Sequence, residues 1–426
     1  MTKLALLGGK PLLSKNLKPY QSMAVDEKKA VAEVIESDCL SGFYGSWEEG
    51  FLGGPKIIEF EEKWSDKFKS KYSISVNSNT SGLYASVGAV GTSPGDEFIV
   101  PCTTMSATAM APLVYGAIPV FADIDPKTFC IDVKSIENLV TEKTKGIIAV
   151  NLFGHPAELH KLRSIADRKK IYLIEDNAQA PLALENEKYT GTIGHIGVFS
   201  LNYHKHIHTG EGGICVTNDE ELATRLRMIR NHAEAVVGPA KINDLTNMIG
   251  FNYRMTELSA AVGLVQLNSI EKHVGIRKDF AESLSKKIET LPGLGIPFVR
   301  SNCSHVYYNW ALKFSEETVG ITRSTFTKAL QAEGFPCNEG YVEPLYMLPI
   351  FRDKKAFGKS HYPFNLTNRS YNYNMCPQAQ NLYEKQLIIT ETCPFEINDE
   401  VIETFSNIFF KVYENIKDLK DYESKL

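Results

Sequence analysis

The chain predicts an α/β protein in two unequal parts. A large domain carries a mostly parallel seven-stranded sheet between helices, and a smaller α+β domain follows at the C-terminus. Three observations predict this. At 426 residues the chain exceeds what one core usually organises. Seven short apolar bursts fall between residues 70 and 220, and several are continuous rather than alternating, as strands covered on both faces require. Stretches of helical length separate the bursts, and strand–helix alternation builds parallel sheets.

The strands are expected at 72–76, 97–101, 118–122, 146–152, 171–175, 197–201 and 213–216. The helices between them are expected at 81–90, 106–114, 134–140, 157–169 and 219–230. The last begins Asp219-Glu220-Glu221, an acidic first turn that suits the helix dipole. Leu258, Ala261, Leu264, Val265 and Leu267 then mark one long helix over 256–289. Leu291-Pro292-Gly293-Leu294-Gly295 breaks it. The domain boundary is placed there, giving 30–290 and 291–426, with residues 1–29 packing on the small domain or on a second subunit. The small domain is expected to hold a strand at 306–314, a helix at 322–333 and a terminal helix at 399–419. Residues 359–386, rich in Asn, Tyr and Gln, read as a long loop, a kind that is often functional.

Composition narrows the function. Hydrophobic content of 43% and charged content of 23% are ordinary for a soluble protein. A net charge of −5 with dispersed Lys and Arg argues against a nucleic-acid surface. No apolar run approaches the roughly 20 residues that span a bilayer. Residues 1–9 lack an apolar signal-peptide core and a cleavage site. The eight cysteines include no Cys-x-x-Cys pair and read as reduced thiols, so a cytoplasmic location is expected. The Asn-x-Ser/Thr triplets at Asn79 and Asn365 are then chance matches.

Ligands of parallel α/β sheets bind beyond the carboxyl ends of the strands. Three polar segments fall there. Val76-Asn77-Ser78-Asn79-Thr80-Ser81-Gly82 leads a strand into a helix, where free amides and hydroxyls suit an anion. An ordinary capped turn is the plainer reading. Ile174-Glu175-Asp176-Asn177-Ala178-Gln179 ends a buried strand in a carboxylate that needs a cationic partner or strong donors. A protonated ring nitrogen is one such partner, and a metal-binding or structural Asp is the other reading.

The third segment is Ser200-Leu201-Asn202-Tyr203-His204-Lys205-His206-Ile207-His208-Thr209-Gly210-Glu211-Gly212-Gly213. Burial and neighbouring cations lower a lysine pKa and make its amine nucleophilic toward carbonyls. Gly212 and Gly213 would admit a close backbone approach. On a strand, His204, His206 and His208 would share one face and suit a borderline metal such as zinc. No Cys or carboxylate at ligand spacing completes that set, except Glu211. Histidines lining a polar or anionic pocket are therefore preferred, and no metal is expected.

Together these residues resemble the DegT/StrS-type sugar aminotransferases, within the aspartate aminotransferase fold (fold type I). The resemblance runs from about Gly8 to Glu289 and more weakly to the C-terminus. It rests on Gly54-Pro55-Lys56, Ser93-Pro94-Gly95-Asp96-Glu97, Pro119-Val120-Phe121-Ala122-Asp123-Ile124-Asp125-Pro126, Leu152-Phe153-Gly154, Glu175-Asp176-Asn177-Ala178-Gln179, Gly210-Glu211-Gly212-Gly213, Arg230-Asn231-His232 and Gly250-Phe251-Asn252-Tyr253-Arg254-Met255, in that order.

The resemblance implies pyridoxal 5′-phosphate (PLP) as cofactor and an amino transfer from L-glutamate to a keto-sugar, nucleotide-linked or phosphorylated. Such a reaction belongs to surface-polysaccharide or amino-sugar biosynthesis. Lys205, five residues before the Gly-Glu-Gly-Gly run, would form the Schiff base. Asp176 would pair with the pyridine nitrogen, and Gln179 would approach the 3′-oxygen or the ring face. Thr80, Ser81 and Ser200 would hold the phosphate, and Asn252 would reach it from the other subunit of a homodimer. His206 and His208, with Arg254, are candidate substrate contacts.

The chain departs from the family pattern in places. Met105 stands where an aromatic residue commonly stacks on the ring, and its thioether can still contact a π-face. Asn79 replaces a usual Gly, and Tyr341-Val342-Glu343-Pro344-Leu345-Tyr346 lacks the His of many relatives. Two alternatives remain at this level. One is a sugar 3-dehydratase of the same fold, which would carry His at the lysine position. The other is a non-catalytic protein that keeps the fold as a binding or regulatory module.

Overall fold

A computed structural model of the chain describes residues 2–425. All seven expected strands form, each within two residues of its expected bounds. They are β1 (Tyr72–Val76), β2 (Glu97–Pro101), β3 (Ile118–Ala122), β4 (Thr144–Val150), β5 (Tyr172–Asp176), β6 (Ile196–Ser200) and β7 (Gly213–Thr217). Their order across the sheet is β1-β7-β6-β5-β4-β2-β3. Only β7 runs against the others, pairing antiparallel with β1 and β6. The continuous apolar runs have their physical counterpart in burial: every residue of β2, β3 and β7 is buried.

Helix α1 (Asn79–Ala89) lies so close to the sheet that a Cβ on Gly82 would stand 2.5 Å from Val198 Cγ1. Helix α2 (Ala107–Val114) packs beside it. The helix expected over 256–289 divides at Ser269 into Glu257–Asn268 and Ile270–Ile288. Ser269 leaves helical geometry (φ −106°, ψ 5°), and the second helix passes from one core to another, Ile270 and Val274 still packing with the first. Ala260 and Leu267 pack with Phe60 and Trp64, whereas Phe280, Leu284 and Ile288 join the core of the C-terminal part. That second core therefore begins before residue 291. The terminal helix likewise divides at Asn415, whose Nδ2 donates to the Lys411 carbonyl at 2.8 Å and so competes with the backbone ladder.

The second core centres on Trp310, Phe326, Phe335, Phe405 and Phe409 under a four-stranded antiparallel sheet: β8 (Leu294–Gly295), β9 (Asn309–Phe314), β10 (Asn338–Glu339) and β11 (Leu387–Glu391). The N-terminal segment packs on it. Leu4 is buried there, and the amides of Ala5 and Leu12 donate to Glu333 Oε1 and Oε2 at 2.8 and 3.0 Å.

Residues 359–386 differ from the expected loop. Phe364, Tyr371, Cys376 and Ala379 are buried against the large core, with Phe121 and Phe351 as aromatic neighbours. The Tyr371 hydroxyl donates to the Pro119 carbonyl at 2.8 Å, on β3, which is the edge of the sheet. An uncovered edge invites pairing with another chain, and this segment masks it. All eight cysteines are free, and no helix among the described residues is long and apolar enough to cross a membrane.

Candidate active site

The carboxyl ends of β1, β2, β4, β5 and β6 converge on one cavity of about 340 Å³. It is lined by Ser78, Asn79 and Thr80 after β1, Thr104 and Met105 after β2, Val150 at the end of β4, Asp176 and Gln179 at β5, and Ser200 and Lys205 at β6. Tyr308 and Tyr341 close it from the C-terminal part.

Asp176 is 5% exposed and makes no ion pair among the described residues. Its Oδ2 accepts the Thr108 hydroxyl at 2.8 Å, and its Oδ1 accepts Asn79 Nδ2 at 3.4 Å and the Ala178 amide at 3.3 Å. Burial nevertheless dominates and holds its pKa above the ordinary carboxylate value, with these donors opposing. Strand alternation sends the neighbouring Glu175 to the other face, where it accepts the amides of Gly191, Ile193 and Gly194.

Lys205 Nζ sits 4.1 Å from the centroid of the Tyr308 ring. Burial lowers its pKa to about 8, and the Asp176 charge partly offsets this. At pH 7 about a tenth of such an amine is neutral, against well under a thousandth for an ordinary lysine.

Gln179 is held at both ends. Its Oε1 accepts the Phe153 amide at 2.6 Å and its Nε2 donates to Tyr341 Oη at 3.0 Å. Phe153 has φ +58°, a left-handed conformation that a bulky residue seldom adopts.

At the start of α1, Ser78 caps the helix by accepting the Ser81 amide at 3.0 Å. First-turn amides lack intrahelical acceptors, which leaves Asn79 and Thr80 as donors for an anion. A Cβ on Gly213 would stand 2.6 Å from Ser78 C and 2.7 Å from Asn79 N, so the glycine lets β7 abut this turn.

Several expected site residues lie elsewhere. Ser81 does not line the cavity: its hydroxyl donates to Asn77 Oδ1 at 2.6 Å and its amide serves Ser78, so neither remains for a phosphate. The three histidines do not share a face, because 202–210 is a turn and not a strand. His204 lines the cavity, whereas His206 Nε2 donates to the Val306 carbonyl at 2.8 Å beneath it. Burial lowers the His206 pKa to about 3, which keeps the ring neutral. His208 pairs with Ser22 Oγ at 2.8 Å. His206 and His208 therefore reach neither a shared metal nor a substrate in this cavity. Glu211, the remaining ligand candidate, accepts Asn202 Nδ2 at 3.0 Å. Arg254 donates to Asn231 Oδ1 at 2.8 Å, and Asn252 is exposed; both lie outside the cavity of this chain.

Cys102, Asp123 and Cys376 bring potential metal-binding atoms within 4.8 Å of one another. The Asp123 carboxylate is engaged there by the amides of Ile124, Gln378 and Ala379, which anchor the helix Pro377–Asn381.

The sequence reading missed Thr108, Tyr308, Tyr341 and the bond from Asn79. Thr108 carried a signal, as a hydroxyl in the apolar run Ala107–Val114. The tyrosines approach only through tertiary packing.

A buried carboxylate without a cation (Asp176), a lysine of lowered pKa (Lys205) and a helix start with free amides form a donor set that fits PLP. The comparisons point to the same cofactor. The model of the DegT/DnrJ/EryC1/StrS aminotransferase family matches residues 26–386. GDP-perosamine synthase of Caulobacter vibrioides is 34% identical over 299 residues, 70% of this chain and 79% of that protein. Spore coat polysaccharide biosynthesis protein SpsC of Bacillus subtilis is 30% identical over 376 residues, 87% of this chain and 90% of that protein. The X-ray structure of an aminotransferase from Psychrobacter cryohalolentis matches with TM-score 0.82 and 27% identity, covering 94% of this chain and 100% of that one. The dehydratase alternative, which needs His where Lys205 stands, is not favoured. The chain belongs to the DegT/DnrJ/EryC1/StrS aminotransferase family and is a PLP-dependent aminotransferase of fold type I.

Proposed function

We propose that the chain moves an amino group from L-glutamate to the keto group of a nucleotide-linked or phosphorylated sugar, as a cytoplasmic homodimer with shared active sites. The observation that carries the reading is the placement of Lys205 and Asp176 on one cavity at the carboxyl ends of β5 and β6. The similarity to GDP-perosamine synthase supports a sugar acceptor.

Bound PLP would supply an electron sink for the pair of electrons left when the substrate carbon loses its proton. Asp176, ionised, would accept a hydrogen bond from the protonated ring nitrogen and keep that sink strong. Thr80 and Ser200 would hold the phosphate, with Asn252 of a second subunit, and Met105 would lie against the ring. Gln179 would offer its second Nε2 hydrogen to the 3′-oxygen. Lys205 Nζ would act as general acid–base, taking the proton from the substrate carbon and holding it at the nitrogen for return. His204, Tyr308 and Tyr341 border the space left for substrate.

A half-reaction screen tests this. Enzyme loaded with L-glutamate loses the visible absorbance of the lysine-linked cofactor and should regain it with nucleotide-linked or phosphorylated keto-sugars. Return of the absorbance only with simple keto acids would defeat the sugar assignment.

A further inference from the structure

Lys205 Nζ makes no hydrogen bond or ion pair among the described residues; what it faces at close range is an aromatic ring. Nζ lies 4.1 Å from the centroid of Tyr308, well inside the roughly 6 Å over which an ammonium and a ring quadrupole attract. Tyr308 is 9% exposed and firmly seated. The Thr392 hydroxyl donates to the carbonyls of Tyr307 and Tyr308 at 2.6 and 3.2 Å, and the Thr392 amide bonds the Tyr308 carbonyl at 3.3 Å. The ring thus belongs to the fixed wall at the head of β9, and the lysine lies against it.

We propose that Tyr308 is a positioning residue: its ring face holds the Lys205 amino group, as an ammonium, at the cavity until the group gives up its proton and attacks an aldehyde. The inference rests on the assignment of Lys205 as the cofactor-bearing lysine. In that step the ammonium loses one proton to solvent. The neutral nitrogen adds to the aldehyde carbon of PLP, a C=N bond replaces C=O, and the oxygen leaves as water.

The ring stabilises only the charged amine, so it opposes burial and delays deprotonation. The other groups facing Nζ come from several elements. Asp176 at the end of β5, Glu391 at the end of β11 and Cys393 just beyond it favour the ammonium, while His206 on the same turn is neutral. His204, Glu211 and Tyr341 border the same cavity. None of the acids is within ion-pair distance, and the Tyr308 ring presents a charge-complementary face 4.1 Å from Nζ.

The test is the pH dependence of the rate at which cofactor-free protein captures PLP, followed by visible absorbance, with Lys205→Ala as blank. Position 308 is varied through Phe and mono-, di- and trifluorinated phenylalanines, which weaken the ring quadrupole at nearly constant shape, and through Leu. The proposal expects Tyr308→Phe to match the parent. Each added fluorine should move the midpoint of the capture profile to lower pH, and Tyr308→Leu should move it by about one unit. Equal midpoints across the fluorinated series would overturn it. So would a Phe variant displaced as far as Leu, since the hydroxyl or packing would then be responsible. The near-isosteric series keeps the test open should the Leu variant fail to fold. Capture by Lys205→Ala would instead overturn the lysine assignment, and the proposal with it, a result distinct from a flat series.

Discussion

Asp176 and Lys205 are each unfavourable alone, one a buried carboxylate and the other a buried amine, and the cofactor-free site holds both without direct contact. For Asp176 the sign is definite. A carboxyl whose folded pKa is raised destabilises the fold at pH values above its unfolded pKa, because ionisation is then easier in the unfolded chain. Asp176→Asn should therefore leave cofactor-free protein at pH 8 at least as heat-stable as the parent, while kcat falls about a hundredfold or more as the ring nitrogen loses its counterion. A scan of melting temperature beside steady-state rates checks both halves. A lower melting point with retained activity would refute this.

At this scale the sequence is legible where chemistry and register agree. Lys205 is located by its distance from Gly210, and Asp176 by its place at a strand end. Ser81, His206 and His208 lie off the cavity, and this was not legible because it depends on which neighbour takes their hydrogen-bonding atoms.

Among the elements, the strands were the most legible, because burial on both faces writes itself into continuous apolar runs. Helix length was less so: Ser269 and Asn415 end helices that periodicity alone would continue. The segment 359–386 was least legible, since its partners are distant in sequence. Arg369 fixes it by donating from Nε and Nη2 to Glu97 at 2.6 and 2.8 Å. Burial raises the Glu97 pKa, but the Arg369 and Thr141 hydrogen bonds outweigh it and the net shift is downward. This contribution is present above the unfolded carboxylate pKa and is lost as pH falls through the lower folded value. Arg369→Ala should cost about 1–3 kcal/mol at pH 7, the pair being partly exposed, and the difference should narrow on acidification toward pH 4. Urea unfolding at several pH values measures it. A difference that grows at low pH would contradict the assignment of Glu97 as the ionised partner.

At the scale of the molecule, the cavity draws its walls from the ends of five strands and two tyrosines of the C-terminal part, yet Asn252 is exposed and does not line it. The proposed homodimer with shared active sites would account for this. Mixing inactive Lys205→Ala and Asn252→Ala proteins under subunit exchange should restore about a quarter of parental activity, since half the dimers are mixed and each of those holds one intact site. No recovery, with exchange verified, would place Asn252 outside the reaction.

The central claim is that Lys205 carries the cofactor, and one measurement meets it directly. Protein incubated with PLP, reduced with borohydride and digested should carry one pyridoxyl phosphate adduct, on the peptide containing Lys205. Lys205→Ala protein treated alike should remain folded and carry none. An adduct on another lysine, or turnover by Lys205→Ala, would contradict the account.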